Sequence, residues 1–210
     1  MTIQKEVEKL SFIQEQRKEQ IINACIAELA ESGFENMTFK NIAKRANINP
    51  SLVSYHFKSK NILLFALLEN IFIHKIEYIE SSISKDKTAI GRVEEFINAS
   101  LNHQRKFRLR NIAMIEIIFN ARTEDNKAFY LMDDDEPDGV YLILNSIIEE
   151  GIKTKQFKTG VDAKILTRII NGALDEMIFA PENDSESEKY GDELFKMVSQ
   201  YLCTGADHNE

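Results

Sequence analysis

The sequence predicts an all-α protein of about nine helices, and three observations predict it. Apolar residues recur at helical spacing almost everywhere, and strict alternation is rare. Glycine (8) and proline (3) are scarce in 210 residues, so obligatory turns are few and long helices are favoured over a many-stranded sheet. Hydrophobic residues make up 43% of the chain, enough to bury a sizeable core as one domain or two small ones.

The first helix is expected over 13–32, with Ile21, Ile22, Cys25, Ile26 and Leu29 on one stripe and Gly33 as a left-handed stop. Thr38 then caps a short helix, FKNIAKRA, whose Phe39, Ile42, Ala43 and Ala46 face inward. Asn47 and Ile48 make a turn. Asn49 caps the next helix, PSLVSYHF, with Pro50 at its first position. Ser59 caps a long helix over 60–82. Five more follow over 89–106, 108–122, 139–155, 163–180 and 187–204. The second of these is apolar nearly all round and therefore central. Asp162 caps the fourth and Pro181 stops it. The acidic run DDDEPDG over 133–139 reads as a solvated loop, because it lacks the alternating ligands and distal glutamate of a calcium loop.

Several function classes drop out. The start, MTIQKEVEKL, has neither an apolar core nor a small-residue cleavage site, so no signal peptide is expected. No apolar run approaches the roughly 20 residues that span a bilayer. Cys25 and Cys203 are far apart in helix-like contexts and read as free thiols of a cytoplasmic protein. No Cys/His pair has zinc spacing, and there is no glycine-rich phosphate loop or nucleophile motif. No metal, no cofactor and no enzymatic activity are expected.

The net charge of −8 hides an asymmetry. Residues 1–60 carry nine Lys/Arg and seven Asp/Glu, a balance of +2, whereas 61–210 carry 17 and 27, a balance of −10. From Asn36 to Leu68 there is no acid at all, against Lys40, Lys44, Arg45, Lys58 and Lys60. A local +5 on an acidic protein is a footprint for a polyanion, though lysine-rich helix faces also occur without one. The two short helices and their turn, placed after a longer helix, form a helix-turn-helix. Its second helix would enter the major groove.

The stretch GFENMTFKNIAKRANINPSLVSYHFKSKNILLFALLE closely resembles the N-terminal domain of the tetracycline-repressor (TetR/AcrR-like) transcription regulators. The resemblance rests on Gly33–Phe34, Thr38, Ile42–Ala43, Ala46 and the run Tyr55–His56–Phe57–Lys58–Ser59–Lys60, in that order, and covers 21–69. It implies a DNA-binding domain over 1–60 and a ligand-binding and dimerisation domain over 61–210. It also implies phosphate contacts at Thr38, Asn49, Tyr55, His56 and Lys60, and base-edge positions at Pro50, Ser51, Leu52 and Ser54. Lys40 and Lys44 join them as backbone contacts. Thr38 would cap a helix in any fold, and Tyr55 and His56 also suit packing against the long helix. The chain departs from the commoner pattern in having Pro50–Ser51 where many relatives have Lys-Gly, and Ser54 where tyrosine is frequent. Neither Pro50 nor Leu52 can make a bidentate base contact, so readout would lean on serine hydroxyls, thymine methyls and DNA shape.

The same resemblance implies a homodimer built from the last two long helices. Ile165, Ile169, Ala173 and Met177 on the first, with Leu194, Phe195, Val198 and Tyr201 on the second, are the candidate interface. Both faces also suit an intramolecular core. A ligand pocket among the middle helices is implied too. Its candidate lining is Phe65, Leu68, Phe72, Phe96, Met114, Phe119, Tyr141 and Leu174, with His103, Glu116 and Asn145 as polar members. Such a stripe equally describes plain core. Glu116, inside IAMIEIIF, is a receiver for a cationic ligand, the partner of Arg108, Arg110 or Arg122, or a residue at an exposed edge.

The expected function is a homodimeric repressor released from a palindromic operator in double-stranded DNA by a small, largely apolar effector, with no membrane partner. The alternative is a helical carrier or enzyme without DNA binding, in which Glu116 and His103 form the one conceivable acid–base pair.

Overall fold

The computed structural model describes residues 2–132, 138–180 and 184–203. Nine α-helices lie among them: α1 Thr2–Ser32, α2 Phe39–Ala46, α3 Pro50–His56, α4 Lys60–Ser82, α5 Ala89–Lys106, α6 Arg108–Asn120, α7 Gly139–Lys153, α8 Ala163–Glu176 and α9 Asp184–Cys203. The protein is all-α, and the described residues hold only an isolated bridge between Arg122 and Ala128. Four expected caps are formed. Thr38 accepts from the N–H of Asn41, Asn49 from Ser51, Ser59 from Ile62 and Asp162 from Ile165.

Helix ends differ from expectation in several places, α7 stopping at Lys153 and α9 starting at Asp184 among them. α1 begins at Thr2 rather than near residue 13. α6 stops at Asn120, where the chain turns into the Arg122–Ala128 bridge. α8 stops at Glu176, and its expected last turn becomes a run of i→i+3 bonds from Met177 to Ala180. The DDDEP part of the acidic loop, Pro181 and Thr204 lie outside the described residues.

The chain forms two compact units that do not divide at residue 60. The first comprises Met1–Ile71 with Leu109–Asp133, and the second Phe72–Arg108 with Asp134–Glu210. In the first, α1 packs on α2 and α2 on α3. Ile21, Cys25, Leu29, Ile42, Val53, Leu63, Leu64 and Leu67 are buried together with Ala113, Ile117 and Ala121. The i, i+4 spacing of 21, 25 and 29 puts one face of α1 on that core. The first half of α4 and all but the first residue of α6 thus complete the core of the helix-turn-helix, which no local pattern reveals. In the second unit α5 packs on α7, α8 and α9 around Phe96, Ile97, Leu144, Ile148, Ile170, Leu174, Val198 and Leu202.

Candidate nucleic-acid interface

The turn between α2 and α3 is set by Asn47, at φ 52 and ψ 48. Asparagine tolerates this left-handed conformation, and it lets Ile48 N–H close back on the carbonyl of Ala43 at 3.0 Å. Gln20 of α1 donates to the carbonyl of Ala46 at 2.7 Å, satisfying another open group at the end of α2. Asn49 Oδ1 accepts from both the N–H and the hydroxyl of Ser51 at 2.9 Å, and Pro50 starts α3 with its φ already helical.

These constraints fix which side of α3 meets solvent. Val53 is fully buried and Phe57 nearly so, whereas Pro50, Ser51, Ser54 and Tyr55 are exposed. Leu52 and His56 are half-buried between the two faces. Tyr55, 69% exposed, meets the His56 ring edge-on at 5.2 Å. Ser54 Oγ makes a long 3.4 Å bond to the carbonyl of Pro50. Thr38, Lys40, Lys44 and Asn49 are exposed as well. Lys58, which the sequence reading did not single out as a contact, is exposed in the turn from α3 to α4. Its place in the acid-free run was the available signal.

Two of the five cations in that run are committed inside the unit. Arg45 Nε lies 2.9 Å from Glu28 and its Nη2 2.8 Å from Glu31, and these bonds hold the guanidinium above its usual pKa. Lys60 Nζ donates to the carbonyl of Phe34 at 3.3 Å and stands 3.9 Å from the centre of the Phe34 ring. Burial holds this ammonium below the usual lysine range, against an opposing effect of Glu35.

The expected pocket residues fall into both units. In the first, Phe65 is exposed but stacked on Phe129 at 4.9 Å, Leu68 and Met114 pack against the core, and Phe119 is exposed. Glu116 pairs with none of Arg108, Arg110 and Arg122. Its Oε2 accepts from the N–H of Phe34 at 2.9 Å and from Asn120 at 3.4 Å. Arg110 instead donates to Asn70 and Asn23, Arg122 to carbonyls of Phe119 and Ala121, and Arg108 to the carbonyl of Ala180. In the second unit, Phe96 and Leu174 are core, Phe72 and Tyr141 are half-buried, and buried Asn145 donates to Glu149. His103 is fully buried with Nε2 3.2 Å from His74 Nδ1, inside a ring cluster with Tyr78 and Phe107. The imagined Glu116–His103 pair therefore has a different partner at each end.

A groove of about 820 Å³ runs between the end of α4 and the start of α7 in the second unit. Ile76, Ile83, Leu142, Ile143 and Ile147 make its aliphatic wall, and Arg92 and Lys85 share its rim with Glu77 and Glu80. On α8 and α9 the expected interface residues separate. Ile165, Ile169 and Tyr201 are exposed, Ala173, Met177, Leu194 and Phe195 are half-buried, and Val198 lies in the core of its own unit. Met197, not singled out before, is 67% exposed. Among the described residues no helix is long and apolar enough to cross a membrane, and no cluster of three metal-ligating side chains occurs.

Comparison with known proteins bears on this surface. The family model for bacterial regulatory proteins of the tetR family matches residues 21–67, which hold the C-terminal part of α1, all of α2 and α3 and the start of α4. The fatty acid metabolism regulator protein of Bacillus subtilis (strain 168) is 26% identical over 164 residues, or 76% of this chain and 80% of that protein. A bacterial regulatory protein in the tetR family from Rhodococcus RHA1 has the same fold, with a TM-score of 0.70 at 19% identity over 91% of this chain and 98% of that one. So does the transcriptional regulator FadR from Bacillus subtilis in complex with stearoyl-CoA, with a TM-score of 0.68 at 21% identity over 87% and 98%.

Proposed function

We propose, from the premise that the chain is a TetR-like transcriptional regulator and not an enzyme, that it is a cytoplasmic homodimeric repressor which an acyl-chain effector releases from a palindromic operator. The DNA half is carried by one observation. α3 is anchored through Val53 and Phe57 and turns Pro50, Ser51, Ser54 and Tyr55 to solvent in an acid-free stretch. A helix so held offers hydroxyls and a phenol to a groove without a carboxylate to repel phosphates.

Support for a dimer comes from Ile165, Ile169, Met197 and Tyr201, which are 47–67% exposed on the two last helices while Leu166, Ile170 and Leu202 beside them are buried. Apolar side chains exposed in this way on two helices suit a second copy of the same face. A Cβ built at Gly172 would meet nothing within 4 Å, so this glycine leaves room for a partner helix. Support for an acyl-chain effector comes from the aliphatic groove beside Arg92 and Lys85. It comes also from two similar proteins, one a regulator of fatty acid metabolism and one solved with stearoyl-CoA. The effector would favour a conformation with altered operator spacing, and its differential affinity sets how far DNA binding falls.

Anisotropy of a labelled duplex, selected from a random-sequence pool on the protein, tests both halves. Affinity is expected to fall steeply with salt as phosphate counterions are released. Stearoyl-CoA is expected to free the duplex where coenzyme A alone does not. A flat salt response removes the DNA reading, and indifference to stearoyl-CoA removes the acyl-chain reading.

A further inference from the structure

We propose that Glu116 and Lys60 are positioning residues for DNA binding, acting together on the backbone of Phe34. The proposal rests on the DNA-binding reading of α2 and α3.

Phe34 follows Gly33 in the 3-10 turn Phe34–Asn36 that leads into α2. Gly33 takes a φ of 77, which favours glycine, and this aims the next N–H at Glu116 Oε2, 2.9 Å away. The carbonyl of Phe34 accepts from Met37 N–H at 3.3 Å and from Lys60 Nζ at 3.3 Å. The same ammonium lies over the Phe34 ring. One residue is therefore tied by its N–H to α6, by its carbonyl to the entry of α2, and by ring and carbonyl to the first residue of α4.

That arrangement closes the α2–α3 pair at both ends. Met37 is buried and Thr38 caps α2, so the Phe34 turn sets where α2 begins. Lys60 opens α4 four residues after His56, the last of α3, so its ammonium ties the chain just beyond α3 to Phe34. Phe34 joins the two ends, and Glu116 joins that closure to α6. Charge-assisted bonds in a half-buried place are the stronger kind, and each leaves a backbone group unsatisfied when removed. Lys60 thus orders the reading pair from behind, where the sequence had suggested a phosphate contact. Glu116 keeps a carboxylate inside an apolar helix for the sake of one N–H.

The duplex selected on the wild-type protein tests this, with melting temperature recorded for each variant. K60M keeps the apolar stem over Phe34 and removes the ammonium. It should weaken binding about tenfold, the scale of one charged hydrogen bond, while the salt slope stays at the wild-type value. A phosphate contact would instead flatten that slope by about 0.9, which would overturn the proposal. E116A should weaken binding on the same scale, and E116Q, whose amide oxygen can still accept from Phe34 N–H, should recover most of it. The K60M/E116A double variant should lose less than the product of the single losses, because both act through one residue. Strictly multiplied losses, unchanged affinity in either single variant, or no recovery in E116Q overturns the proposal. A wild-type protein without salt-dependent DNA binding removes the underlying reading as well, whereas wild-type binding with indifferent variants removes the positioning role alone. Should E116A fail to fold, K60M still decides for Lys60, and a loss in E116Q as large as that of K60M still overturns the role of Glu116.

Discussion

Arg45 of α2 and Glu28 of α1 meet at 2.9 Å, and Glu31 takes the other end of the guanidinium at 2.8 Å. Glu28 is buried. Removing Arg45 therefore leaves a carboxylate in the core without its cation. R45A should lower unfolding stability by about 1–3 kcal/mol and leave the salt slope of DNA binding unchanged. Its neighbour Lys44 is exposed, and K44A should do the reverse, flattening the slope by about 0.9 with stability changed by less than about 0.5 kcal/mol. Urea titrations and salt titrations on the two variants check the contrast.

Burial pushes the Cys25 thiol up to about 12, with Lys60 pulling the other way. A thiol raised above its unfolded pKa of about 8.5 holds its proton more tightly folded than unfolded. The stability it confers is complete below that pH and is lost as pH rises toward the folded value. Wild type should lose about 2 kcal/mol by pH 10 from this group, relative to C25A. Unfolding curves of both proteins from pH 7 to 10 give the difference. Native alkylation should reach exposed Cys203 and spare Cys25.

Ile169 is 61% exposed on α8. On the proposed dimer, wild type should sediment as a dimer and I169D as a monomer with unchanged helix content. Operator affinity should fall about a hundredfold or more, because the second half-site contact is no longer intramolecular. A variant that stays dimeric would place the interface elsewhere.

Gly151 lies in the last turn of α7, where an added Cβ would stand 2.2 Å from the ring of Phe157 and 3.0 Å from Cβ of Ala89. Overpacking of this kind should make G151A less stable by about 1–3 kcal/mol. Thermal or urea unfolding measures it, and no loss would mean that the ring of Phe157 moves aside freely.

What was legible in the sequence was local. Thr38, Asn49 and Ser59 announce three helix starts because a cap acts within three residues of itself. The α2–α3 turn was legible from its position between two apolar stripes. The start of α1 was missed although Ile3, Val7 and Leu10 recur at i, i+4 and i+7, because that short stripe is diluted by the Lys, Glu and Gln residues between them. The stop of α7 before Lys155, at φ 60, was missed because a lysine in the left-handed region carries no signal of its own. The partners of the charged side chains were hidden by distance along the chain. Glu116 reaches Phe34 across 82 positions and Arg45 reaches Glu28 across 17. The electrostatic footprint counted five cations, and only the fold tells that Arg45 and Lys60 have inward work.

Those two inward cations also bear on how the protein finds its place on a chromosome. Random DNA holds a protein by charge alone, and each phosphate neutralised lengthens the stay. With Arg45 engaged by Glu28 and Glu31 and Lys60 by Phe34, Lys40, Lys44 and Lys58 are left to meet phosphates, and with a balance of −10 over residues 61–210 the grip on a wrong sequence should be short. A brief residence at each wrong site quickens the search. On the proposed reading, lingering would then fall to the outer face of α3, whose hydroxyls and apolar contacts would hold only where the groove fits them.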